Sequence, residues 1–116
     1  MRNKGDIDMI DYKKKEIKFA KSDSIAKVEY ANCITENGFA YIVNSLDGNK
    51  GIFTLTVIDI RRKKQSVPVA LIANFSPISI EVIENAVEKL ISVYKQRQEI
   101  SVYCNYNEFI NNNKNS

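Results

Sequence analysis

The side chains with the most capacity for chemistry are cations. Arg61, Arg62, Lys63 and Lys64 stand in an unbroken row, and Lys13, Lys14, Lys15, Lys18 and Lys21 crowd an earlier stretch. Four adjacent cations with no acid among them concentrate positive potential, and the phosphates of nucleic acid are a natural counterpart for such a surface. The plain alternative is a solvated turn. Tyr12, Tyr30 and Tyr41 offer rings on which exposed bases could stack. A tyrosine more commonly buries its ring and leaves its hydroxyl wet, so core packing competes with that reading.

Other chemistries lack their parts. The chain has no histidine, which removes the commonest general base and the commonest transition-metal ligand. Nucleophile pairs of the Ser/His or Cys/His kind cannot be built. Cys33 and Cys104 are the only 2 cysteines and sit far from any metal-ligand spacing. Each has apolar or aromatic neighbours in sequence, the usual setting of a free thiol that acts as a small hydrophobe. With 4 glycines and no G-x-x-x-x-G-K-[ST] or G-x-G-x-x-G run, a phosphate-cradling loop is not expected. Asp47 and Asp59 remain as carboxylates of interest. Asp47 reads as a turn former, and Asp59 as the partner of a nearby arginine or lysine. The expectation is a protein that is not an enzyme and needs no cofactor.

Composition bounds the class. At 116 residues, 44% hydrophobic and 27% charged, the chain has the size and balance of one globular domain. The formal charge is +3, but it is unevenly placed. Residues 1–64 hold 13 Lys and Arg against 9 acids, a net of +4, and residues 65–116 hold 4 against 5, a net of −1. No apolar run approaches the ~20 residues that cross a bilayer, and the first residues are of mixed charge, so a soluble cytoplasmic protein is expected.

The elements that must position the cations follow from periodicity. Ile17 and Phe19 alternate with Lys18 and Ala20, a half-buried strand with lysines on its outer side. Residues 22–35 fit a strand or a helix, and Asn37-Gly38, a strong hairpin signal, favours the strand. Segments 39–46, 51–61 and 67–75 are rich in Ile, Val, Phe, Tyr and Thr, as strands prefer. The basic row Arg61–Lys64 then falls at a hairpin tip between the last two. After Ser76-Pro77 the period changes. Ile80, Ile83, Val87, Leu90, Ile91 and Tyr94 recur at helical spacing, predicting an amphipathic helix over about 78–97 with Ser76 or Ser79 as cap. Ile100, Val102 and Cys104 suggest one last short strand.

The fold class expected is therefore α+β: an antiparallel meander of about four to six strands packed against one long C-terminal amphipathic helix. Residues 1–12 read as a loosely ordered segment, 13–105 as the domain, and 106–116 as an Asn-rich frayed tail. Phe75 and Ile72 would lie on a sheet face that one helix does not fully cover, which makes a homodimer conceivable.

Val57-Ile58-Asp59-Ile60-Arg61 in a strand, followed later by a serine-started helix, locally resembles the small single-strand-binding transcriptional coactivators. The aromatic and glycine landmarks of those proteins are not present here, and the resemblance implies nucleic-acid binding at most. The functional expectation is a small nucleic-acid-binding accessory or regulatory factor. Its contacts would come from Arg61, Arg62, Lys63, Lys64, Lys13, Lys14, Lys15 and Lys18. The alternative is a protein-binding inhibitor, immunity or assembly factor acting through a sheet edge or helix face.

Overall fold

A computed structural model of the chain describes residues 14–19, 25–29, 38–45, 51–61 and 67–113. Its elements run β1 (Lys14–Lys18), β2 (Ile25–Glu29), β3 (Phe39–Ser45), β4 (Phe53–Asp59), β5 (Val67–Phe75), α1 (Ile80–Arg97), β6 (Ser101–Tyr103) and α2 (Tyr106–Asn112). The class is α+β. Residues 25–29 take the strand alternative and pair antiparallel with β1 as a separate two-stranded ribbon. The expected loosely ordered segment 1–12 lies outside the described residues.

The main sheet has four strands in the order β3-β4-β5-β6. Three of them form the antiparallel meander that alternation predicts, since only seven residues of sequence separate each strand from the next. The fourth departs from it. β6 pairs with β5 in parallel, through Ala70↔Ser101, Leu71↔Val102 and Ile72↔Tyr103. A parallel neighbour needs a long crossover, and α1 supplies it by carrying the chain back to the end of the sheet where β5 began. The sheet is therefore mixed, and the wholly antiparallel expectation is corrected. Pro68 fits this arrangement. It lies opposite Ile58 in β4, in the part of β5 that runs beyond β6, where a missing N–H costs no ladder bond.

The helix α1 starts two residues later than periodicity suggests. Ser79 caps it, its hydroxyl accepting from the Val82 N–H at 3.4 Å, and Glu81 in the first turn with Lys95 and Arg97 in the last complement the macrodipole. Gln98 ends it in a left-handed conformation, its N–H returning to the Tyr94 carbonyl at 2.7 Å. Ile83, Val87, Leu90 and Ile91 are all buried against the sheet, as their spacing requires.

This helix is not the last element. Tyr106–Asn112, assigned by composition to a frayed tail, form α2. Asn105 caps it through a bond from the Glu108 N–H at 2.8 Å, and the Glu108 carboxylate reaches back to the Cys104 N–H at 2.6 Å. The first bond satisfies a donor that the helix start would otherwise leave open, and the second ties the residue before the cap to the first turn. Phe109 is fully buried, edge-on to Tyr103 with centroids 5.1 Å apart. Tyr106 stacks on Phe75 at 4.9 Å. Phe75 and Ile72 are both buried in the main core, so the uncovered apolar face on which the homodimer expectation rested is not present.

The core lies between the sheet and the two helices, and Ile17 and Phe19 of the first strand segment join it. Phe19 bridges to Gly51 in parallel, just before β4 begins. A smaller cluster, Ala40, Ile58 and Ile60, is buried on the other side of the meander. Burying a side chain such as Phe53, Leu55 or Leu90 contributes roughly 1.5–3 kcal/mol each. Among the described residues no helix is long and apolar enough to cross a membrane.

Candidate nucleic-acid interface

The end of β4 is organised around a buried carboxylate. Asp59 is 4% exposed and faces the same side as Val57 and Leu55. Arg61, two residues on, folds back onto it. Its Nε donates to Oδ1 at 2.9 Å, its Nη2 to Oδ2 at 2.7 Å, and its backbone N–H also to Oδ1 at 3.0 Å. This two-point arrangement is the strongest geometry open to an arginine and a carboxylate. It raises the Arg61 pKa above its ordinary value, the hydrogen bonding of the guanidinium to the Asp59 carboxylate being the main cause, so the guanidinium stays charged at any working pH. Asp59 is an arginine's partner, as the sequence suggests.

Phe39, at the start of β3 and opposite Asp59 in register, completes the site. The Arg61 guanidinium carbon lies 4.8 Å from the Phe39 ring centroid. From α1, Lys95 places its ammonium 5.9 Å from the same centroid, and Tyr94 meets the ring edge-on at 6.0 Å. Phe39 is fully buried beneath these three side chains. Gly38 makes room for the arginine: a Cβ there would stand 2.6 Å from Arg61 Cγ, and its φ of +83° is one that side chains rarely adopt. The Gly38 carbonyl also accepts from the Ile60 N–H at 3.2 Å, extending the β3–β4 ladder.

The candidate cations are therefore distributed unevenly. Arg61 lies at the base of the β4–β5 connection, its side chain 48% exposed although anchored. Arg62, Lys63, Lys64 and Lys13 fall outside the described residues. Lys14, Lys15 and Lys18 belong to β1, with Lys14 across from Glu29 and Lys18 across from Ile25. The parallel bridge from Phe19 to Gly51 puts β1 beside the beginning of β4, whereas Arg61 follows its end. Ten residues of near-extended chain separate Gly51 from Arg61, on the order of 30 Å. The backbone of β1 and Arg61 therefore lie toward opposite ends of β4.

Lys95 is the residue that linear reading misses at this site. It stands 34 positions after Arg61, and only the docking of α1 on the sheet brings the two to one ring. Of the proposed stacking rings, Tyr41 is buried at 5% exposure and packs in the core; Tyr12 and Tyr30 lie outside the described residues. Cys104 is exposed, not a buried hydrophobe, because it falls in the bend between β6 and α2, and Cys33 lies outside the described residues. Among the described residues no cluster of three potential ligands could hold a metal ion. A depression of about 340 Å³ along α1 is lined by Glu88, Ile91, Ser92, Lys95 and Gln96.

No family model, curated protein or solved structure matches this chain.

Proposed function

We propose that the protein is a small nucleic-acid-binding accessory factor that grips phosphates with the cations of the β4–β5 connection. The observation that carries this reading is the anchoring of Arg61. Its bonds to Asp59 hold the strand end from which the sequence continues as Arg62, Lys63 and Lys64. A cationic loop that leaves a rigid strand end loses less freedom on binding than one on a loose tether. Lys14, Lys15 and Lys18 supply a second, separate basic segment near the other end of β4.

The test is binding to duplex and single-stranded probes over a salt series. The variant Arg62→Gln/Lys63→Gln/Lys64→Gln should bind more weakly, and its slope of log affinity against log salt should shrink by roughly 0.7–0.9 for each lost contact. Wild-type protein that shows no salt-sensitive binding refutes the reading.

A second reading has its own observation. Ile78, Ile100 and Val102 are large apolar side chains with more than half of their surface exposed, and Val102 belongs to the edge strand β6. An edge strand with exposed apolar residues suits pairing with a partner protein. Complex formation that Val102→Lys abolishes, and that survives nuclease treatment, would favour it.

A further inference from the structure

We infer that α2 is a latch, which lifts from β5 and β6 as a unit of its own and uncovers Phe75 and Tyr103 while α1 and the sheet stay folded. The inference goes beyond the nucleic-acid reading and stands or falls independently of it.

With seven residues, α2 is shorter than the ~12–15 below which isolated helices are marginal in water. It therefore persists only while docked, and few side chains dock it. α1 buries six residues along its 18, whereas within α2 the buried residue is Phe109. Regions with few buried contacts are the ones that open locally. Phe109 lies edge-on to Tyr103, and Tyr106 stacks on Phe75.

Asn113 closes the far end of the helix and is fully buried. Its Nδ2 donates to the Phe109 carbonyl at 2.8 Å and to the Tyr103 hydroxyl at 3.2 Å. Its buried Oδ1 has no hydrogen-bond partner among the described residues. Such an acceptor is costly while the helix is docked, and water satisfies it once the helix lifts away. The docked state thus carries a penalty that the open state does not. At the other end, Cys104 and Asn105 are exposed and form the pivot. Asn74 Nδ2 holds that pivot to β5 by donating to the Cys104 carbonyl at 2.9 Å.

Native-state hydrogen exchange of the full chain at low denaturant tests the latch. The amides of Phe109 and Asn113, which donate to the Asn105 and Ile110 carbonyls, report on α2; those of Leu90 and Ile91 report on α1. After correction for intrinsic rates, the α2 amides should exchange at least about tenfold faster, since one unpaired buried group shifts an opening equilibrium by roughly that factor. Their rates should also depend weakly on denaturant, because little surface is exposed in lifting one short helix. Leu90→Ala should accelerate the α1 amides and leave the α2 amides unchanged, because the packing of α1 is common to the open and closed latch. If that variant does not fold, the denaturant series on wild type decides alone. One shared rate and denaturant dependence for both helices would overturn the inference, as would α2 amides with no protection at all.

Discussion

Arg61 and Asp59 close a two-point ion pair across two residues of sequence, Nε to Oδ1 and Nη2 to Oδ2, at the point where β4 leaves the sheet. The carboxylate is buried and the guanidinium half exposed, so the two partners are not equivalent. Removing the arginine side chain takes two charge-assisted hydrogen bonds from a buried acid; removing the acid releases an arginine that water can still reach. Arg61→Gln should therefore cost about 1–3 kcal/mol in chemical denaturation. Asp59→Asn should cost less than Asp59→Ala, since the amide keeps one acceptor. An Arg61→Gln variant as stable as wild type would show the pair to be incidental. Arg61 thus belongs to the fold as much as to the surface.

Gly38 offers an independent probe of the same corner. Its φ is +83°, and a Cβ would meet Arg61 Cγ at 2.6 Å. Gly38→Ala should destabilise the protein by about 1–3 kcal/mol from backbone strain alone. Combining it with Arg61→Gly should relieve the clash and leave the strain, so the double variant should lose less than the sum of the two. Strict additivity in that cycle would mean that the arginine stem does not occupy the space above Gly38.

The second helix makes a prediction that composition would not. Phe109 is fully buried among Tyr103 and Tyr106, and Phe109→Ala should cost about 3–5 kcal/mol. Removing residues 106–116 should lower the melting temperature sharply and expose Phe75 to quenchers or dye binding. A truncated chain that melts like the full one would return this segment to the status of a tail.

Leu90 tests the docking of α1. It is fully buried in the main core, so Leu90→Ala should cost about 2–5 kcal/mol. The same substitution at Lys89, on the adjacent half-buried position, should change stability by under about 0.5 kcal/mol. Equal losses at the two positions would contradict the orientation of the helix.

Periodicity alone was enough to place the strands 39–45, 53–59 and 67–75 and the inward face of α1. Each has a long apolar repeat whose period, two or near 3.6, admits one burial pattern. The Asp59–Arg61 pair was also within reach, because both partners lie in one short stretch of chain. The helix α2 was masked by composition, although its signal, Asn105 three residues before Glu108, stands in the sequence as a capping pair. The direction of β6 could not be read at all: three residues alternate identically whichever way they run, and it is the span of α1 that returns the chain to the far end of the sheet. The placing of β1 beside the beginning of β4, and the arrival of Lys95 beside Phe39, are likewise products of tertiary structure. Local sequence sets which side chains turn inward, because that depends on the period of one element. Which charges share a neighbourhood depends on how separate elements dock, and that is decided by the packing of the whole core.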